Sequence, residues 1–457
     1  MAHDEILSYK LKLKLLDNQK EEKIKIPIIN ERNRYFELIE NLPFKLTNDQ
    51  KKVIDEIYND QKSNHIMFRL LQGDVGSGKT LVALCVALNA IESGYQVILM
   101  APTELLAIQH KKWIDSVCNL RNDILLGKIK GKKREAVLQK FKNHEIDIAF
   151  GTHALFQDGV EFANLGLVII DEQQRFGVAQ RAQLAGKSNR GVDVLLMSAT
   201  PIPRTLSMVL YDKIKISYLY SKPIGRAKIK TTLMKLSDNN INKIIESLKN
   251  NNEKVYWVCP LIERSENFDC TSATERYNLI VSKFQDDSAI GLLHGKMSSD
   301  DKDAIMMDFY HGIKRILVAT TVVEVGIDVP DATIIIIENA DRFGLSQLHQ
   351  LRGRVGRQAS EKPCHCLLLY GNEEATKRLK IMMQNDDGFK IAEYDLSLRG
   401  AGNIAGTEQS GNMIFRFFNY SEHGHLYDMV NDEIENISDI EKYKTLLEVF
   451  NYHRDLS

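Results

Sequence analysis

Short apolar runs separated by amphipathic stretches dominate the middle of the chain. "YQVILMAP", "IDIAFGT", "LGLVIIDE" and "VDVLLMSAT" are rich in Ile, Val and Leu and are bounded by turn residues. Such runs read as strands buried on both faces. The segments between them space their apolar positions by three and four residues and read as helices. Alternation of the two predicts βαβ units and a mostly parallel sheet over 46–222. A second series, "GRAKIKTTLM", "EKVYWVCPL", "SAIGLLHG", "RILVATT", "ATIIIIEN" and "CHCLLLY", repeats the scheme over 223–385. The expected fold is α/β with two parallel-sheet lobes. A charged helical linker over 1–45 precedes them, and an appendage over 386–457 follows, ending in a charged helical tail.

Composition narrows the class without deciding it. At about 150 residues per domain, 457 residues leave room for two or three domains, and 44% hydrophobic with 26% charged residues suits a globular protein. The longest apolar runs fall far short of the roughly 20 residues that cross a bilayer. Acids and lysines interrupt the N-terminal stretch where a secretory signal would be apolar, so the expected location is the cytoplasm, away from membranes. Six scattered cysteines read as reduced core thiols, and "CHC" at 364–366 fits an alternating strand better than half of a zinc site. A net charge of −1 gives no bulk argument for nucleic acid, and the basic run "KIKGKKR" at 128–134 reads as a solvated loop, with a phosphate backbone as the alternative.

Chemistry enters with "LQGDVGSGKT" at 71–80, which fits G-x-x-x-x-G-K-[ST] at Gly73, Gly78, Lys79 and Thr80. A loop running Gly73, Asp74, Val75, Gly76, Ser77, Gly78 lets backbone N–H groups wrap phosphates. Lys79 adds a point charge, Thr80 offers a hydroxyl to Mg²⁺, and the following helix presents its positive end. The later run "LGLVII" ends in Asp171 and Glu172. One carboxylate suits the metal and its neighbour suits a general base. Positive charge opposite the loop is expected from Arg354 and Arg357 in "QLRGRVGR" of the second lobe. The site then lies in a cleft that ATP closes and hydrolysis opens, turning phosphate energy into motion of one lobe on the other.

Further stretches in the same order, among them "MAPTELLAIQH", "GTHALFQ", "LVIIDEQQRFGV", "SATPIPRT", "YWVCPLIE", "LLHGKM", "VATTVVEVGIDVP" and "RFGLSQLHQLRGRVGR", make the chain resemble the superfamily 2 helicase motors, most closely the RecG family. The resemblance implies two tandem RecA-like lobes, ATP with Mg²⁺, and a monomeric motor on double-stranded and branched DNA in fork rescue and recombination. It also assigns residues. Gln50 and Phe44 are placed to read and stack on adenine, with plain helix-start residues as the alternative reading; Gly326 and Asp328 lie where the family meets the ATP ribose; Ser198 and Thr200 resemble the element that links ATP state to DNA grip. Thr103, Thr152 and Thr320 or Thr321, at strand ends, are candidates to hold sugar-phosphate, with plain turn residues as the alternative reading.

The tail resembles the translocation motif that the family shares with the transcription-repair coupling factor, a helical hairpin and loop with Arg399 and Gln409 on its polar positions. Two departures stand out. Gln174 replaces the family's usual His, and the chain begins near the family's linker helix without a counterpart of the N-terminal wedge, so a shortened form is expected to regress forks poorly. A coupling-factor-like translocase, an RNA helicase and a non-hydrolysing DNA-binding remnant are the rival readings. Intact Lys79, Asp171, Glu172 and Arg357 oppose the last.

Overall fold

Every apolar run named above that falls in a described segment is a strand, and the strands form two wholly parallel sheets. The computed structural model describes residues 1–18, 25–157, 159–172, 191–200, 214–221, 227–260, 271–284, 287–324, 329–357, 363–399, 417–418, 420–437 and 440–450. The first sheet contains β1 (Phe68–Gly73), β2 (Gln96–Met100), β3 (Asn122–Leu125), β4 (Ile148–Gly151), β5 (Leu165–Ile170), β6 (Asp193–Ser198) and β7 (Lys215–Leu219). Its order is β3-β4-β2-β5-β6-β1-β7. The second contains β8 (Ile229–Lys235), β9 (Lys254–Val258), β10 (Ile290–Leu293), β11 (Ile316–Ala319), β12 (Ala332–Ile337) and β13 (Cys364–Tyr370), in the order β10-β11-β9-β12-β13-β8.

The helix Lys79–Glu92 is apolar on all sides, and Leu81 through Ile91 are buried. A helix without a polar face must be covered all round. Part of the cover comes from the helix Asn33–Asn41, whose Tyr35 and Leu38 join Ile28 and Leu46 in the core of the first lobe. This corrects the reading of 1–45 as one linker: residues from Ile28 onward belong to the lobe. The first stretch of 1–45, the helix Ala2–Asn18, packs Ile6, Leu7 and Leu11 against Phe418 and Val430 near the other end of the chain. Its Glu5 Oε2 accepts the backbone N–H groups of Phe417 and Phe418, each at 2.8 Å, and Lys14 Nζ donates to the carbonyls of Ile434 and Ile437. The expected linker and tail thus share a small compact unit of their own, separate from the one that carries both sheets.

Cys364 and Cys366 are buried on β13 with His365 half-buried between them, the alternation of a strand. Burial pushes the Cys85 and Cys366 thiols up to about 12, which keeps them protonated. Cys270 lies outside the described residues. No described helix is long and apolar enough to cross a membrane. In the basic run, Lys128 pairs with Glu104 at 3.2 Å and the helix Gly131–Lys142 begins three residues later.

One ionic contact closes the first sheet from below. Lys25 Nζ pairs with Asp193 Oδ2, their side chains 3% and 0% exposed, and Asp193 Oδ1 accepts the Met67 N–H at 2.8 Å. Burial pushes the Asp193 carboxyl up to about 6 in spite of Lys25. Removing one partner strands the other, which costs about 3–5 kcal/mol. Lys25→Met is therefore expected to lower the thermal midpoint clearly, and Lys25→Met with Asp193→Asn to recover much of the loss. Differential scanning calorimetry checks this, and a single variant melting like the parent would rule the buried pair out as a stabilising contact.

Candidate active site

In an open parallel sheet, loops that follow the carboxyl ends of central strands converge on one edge. The loop after β1 turns at Gly76 (φ 73) and Gly78 (φ 85), left-handed conformations that glycine adopts without strain, and the helix starts at Lys79. At Gly73 a Cβ would stand 2.5 Å from Ser77 Oγ and 2.9 Å from Leu219 Cβ, so only glycine fits. Lys79 folds back inside the loop, its Nζ donating to the carbonyls of Gly73 (2.8 Å) and Asp74 (3.1 Å). Thr80 is half-buried in the first turn of the helix, and Val75 is half-buried at the tip.

Gln50 braces this loop from behind. Its Oε1 accepts the Thr47 N–H at 2.9 Å in a capping box, and its Nε2 donates to the Ser77 carbonyl at 2.9 Å. The amide expected to read adenine is here 2% exposed and engaged on both sides within the fold. Phe44, expected to stack on the base, is 49% exposed.

Asp171 and Glu172 follow β5, with the Asp171 N–H bonded to the Met100 carbonyl at 2.9 Å. Glu172 sits at φ 50, a strained position for a non-glycine residue of the kind that gathers at functional sites. The neighbours are driven apart in acidity. For Asp171, burial raises the carboxyl, but the hydrogen bond with His110 Nε2 (2.9 Å) and the Lys79 charge outweigh it and hold the group below its ordinary range. For Glu172, burial and the Asp171 charge push the carboxyl up against the pull of Lys79, Arg354 and the Ala199 backbone N–H. Lys79 is itself pulled down by burial and held up by Glu172, Asp171 and Asp74.

The second lobe brings one short segment to the same place. On the helix Leu345–Arg352, His349 Nε2 lies 2.6 Å from Asp74 Oδ1, both residues being buried. A Cβ on Gly353 would come within 3.1 Å of Val75 Cβ, so backbone of the second lobe abuts the loop. The Arg354 charge bears on Glu172 and the Arg357 charge on Lys79, while Arg357 Nε donates to the Gly353 carbonyl at 3.0 Å. His110 and His349 were not singled out in the sequence. Both lie within helicase-like stretches quoted above, but nothing in their helical spacing points to a partner in another element.

Comparison with known proteins places this geometry. Residues 47–209 match the DEAD/DEAH box helicase model, 237–359 the helicase conserved C-terminal domain, and 385–452 the C-terminal part of domain 3 of the ATP-dependent DNA helicase RecG. Curated RecG proteins of Thermotoga maritima and Aquifex aeolicus are 41% and 47% identical over 96% and 92% of the chain. The chain belongs to the RecG family.

It spans 56% and 54% of those two RecG proteins' lengths. A solved structure of RecG bound to a three-way DNA junction superposes with a TM-score of 0.77 at 39% identity, covering 94% of this chain and 56% of that one. The helicase Lhr of Mycobacterium smegmatis, at 16% identity and a TM-score of 0.57 over 78% of this chain and 50% of its own, shares the fold.

The remaining RecG-family positions divide by burial. Ser198 Oγ and Thr200 Oγ1 are 2.8 Å apart, and Gln72 of β1 donates to the Thr200 carbonyl at 3.1 Å, so the phosphate-loop strand and the end of β6 are tied together. Thr103 caps the helix Glu104–Val117 through the Leu106 N–H at 3.3 Å. Thr152 and Thr320 are buried at 3% and 0% exposure, which removes the Thr320 hydroxyl from any surface grip; Thr321, half-buried, is the one of that pair at the surface. Arg399 is the last residue of the helix Gly388–Arg399. Gly326, Asp328, Gln409 and Gln174 lie outside the described residues.

Gln50→Ala removes both the helix cap and the brace on Ser77. It is expected to destabilise the protein by roughly 1–3 kcal/mol without nucleotide present. Urea unfolding monitored by circular dichroism reads this; unchanged stability together with weakened ATP affinity would assign the amide to the base instead.

Proposed function

We propose that the chain is an ATP-driven DNA motor of the RecG kind, which hydrolyses ATP with Mg²⁺ and moves on double-stranded DNA at branches such as stalled forks and Holliday junctions. Repair and recombination in the bacterial cytoplasm, acting as a monomer, is the setting this implies. The observation that carries the reading is that the second-lobe segment holding Arg354 and Arg357 stands against the glycine loop, with His349 on Asp74 and Gly353 against Val75. The relatives named ATP-dependent DNA helicase RecG, and the one solved on a three-way junction, support the substrate.

The residues suit the nucleotide and its metal. Magnesium on a triphosphate is held by few protein oxygens, and the Thr80 hydroxyl with the Asp171 carboxylate, kept ionised, would supply them. Mg²⁺ when bound neutralises charge developing on the phosphates. Glu172, with its proton affinity raised, is the stronger base of the pair and takes the proton of the attacking water. The loop N–H groups and Lys79 hold the phosphates, and Phe44 is available to the base. Arg354 and Arg357 place positive charge opposite the loop only when the second lobe stands against it, so hydrolysis is conditional on closure. Thr103, Thr321, Arg399 and Gln409 are proposed to touch the DNA backbone, with Ser198 and Thr200 passing the state of the phosphate loop to that grip.

The test is ATP turnover with no nucleic acid, single strands, duplex, three-way junctions and RNA at several salt concentrations. Junctions are expected to stimulate most, with stimulation falling steeply as salt rises; equal stimulation by RNA would defeat the DNA assignment. Lys79→Ala should abolish turnover. Glu172→Gln should keep nucleotide binding while turnover falls by about 10²–10⁴. Arg357→Ala should lower kcat by about 10³ or more.

A further inference from the structure

His349 has no place in the chemistry above, yet it is 4% exposed and holds Asp74, itself 3% exposed, in the phosphate loop. On its other side Arg352 Nη2 lies 2.9 Å from His349 Nδ1. A guanidinium can only donate, so Nδ1 accepts. The ring proton is therefore on Nε2, and Nε2–H donates to Asp74 Oδ1 over 2.6 Å.

Arg352 is pinned in turn. Its Nη1 donates to the Met382 carbonyl at 2.6 Å and its Nη2 to the Asn385 carbonyl at 2.9 Å. These carbonyls lie at the end of the helix Thr376–Gln384, and residue 385 is where the match to RecG domain 3 begins. At the other end, Asp74 Oδ1 also accepts the Val75 N–H at 2.7 Å, and the Asp74 carbonyl accepts from Lys79 Nζ at 3.1 Å. A continuous line of buried hydrogen bonds runs from the root of the C-terminal segment to the lysine of the phosphate loop.

We propose that His349 is a positioning residue for the phosphate loop: oriented by Arg352, it tethers Asp74 to the second lobe, so that the loop and Lys79 take their working shape only when that lobe is in place. The inference rests on the ATPase reading above. The bond ends on a carboxylate oxygen in a buried site, where the low dielectric strengthens it. His349 and Arg352 are one turn apart on a single helix, so a shift of that helix is felt at Asp74 as a whole. The arginines 354 and 357 act on charge at the reacting phosphate, whereas His349, held between Arg352 and Asp74, acts through the loop.

The whole chain and its variants are compared for affinity to the fluorescent analogue mant-ATP and for DNA-stimulated ATPase. His349→Ala is expected to lower kcat/KM for ATP roughly ten- to a hundredfold, the range for losing a buried hydrogen bond to a charged group. His349→Gln, whose amide N–H stands where Nε2–H stood, is expected to restore most of it. Asp74→Ala is expected to match His349→Ala, and the double variant to be no worse than either, the non-additivity of one shared contact. Losses that multiply in the double variant, parent-like kinetics for His349→Ala, or a glutamine variant no better than alanine would each overturn the tether. Should alanine prevent folding, His349→Gln decides: near-parent activity supports the tether and its loss overturns it. A parent chain that neither binds mant-ATP nor turns over ATP with DNA defeats the ATPase reading itself, and the tether with it.

Discussion

Lys79 brings an ammonium into a place from which water is largely excluded, and an isolated charge there would be expensive by several kcal/mol. It is tolerated because Glu172, Asp171 and Asp74 surround it and two loop carbonyls accept its protons. Each of these partners is where it is because of the sheet. β5, β6 and β1 are neighbours in parallel, with Gln72 opposite Ser198, so the residues that follow each strand emerge on one edge at fixed separations. The arrangement of charge is a consequence of strand order, and a slip of register in the central strands would disperse it.

The same balance explains why two adjacent carboxylates differ. Asp171 receives a hydrogen bond from His110 on the helix Glu104–Val117, whereas Glu172 is pushed up by burial and by the Asp171 charge beside it. Sequence adjacency makes them like charges; the helix makes them unequal. The left-handed backbone at Glu172 carries a local strain of about 1–3 kcal/mol that the surrounding structure must hold in place.

Much of this was legible from residues. Strands buried on both faces advertise themselves as unbroken Ile and Val runs, and the glycine loop with its lysine has a spacing few other structures need. β3 and β7 were not foreseen: "NDIL" and "KISYL" mix polar and apolar positions because both strands lie at edges of the first sheet, where one side needs no apolar cover. The N-terminal stretch was misread as a single linker because its charged residues mask the few, Tyr35 and Leu38 among them, that seal the buried helix. His110, His349 and Gln72 lie inside the helicase-like stretches, yet their individual roles were not legible because each depends on a partner far along the chain, and periodicity reports only local neighbours. Thr320 shows the converse, a residue of the expected type at the expected strand end whose side chain points into the core.

Among the described residues, the second lobe meets the loop through the segment 349–357, a helix end and the turn after it. In a segment this short, the positions of Arg354 and Arg357 are tied to that of His349. Gly353 sets how near that segment comes. With no side chain it lets the turn rest on Val75, where even a methyl group would stand 3.1 Å from Val75 Cβ and force a shift of some tenths of an ångström. Displacements of about 1 Å in positioning groups can change rates a hundredfold. The absence of one carbon at position 353 is thus as much a part of the site as the guanidinium groups that follow it.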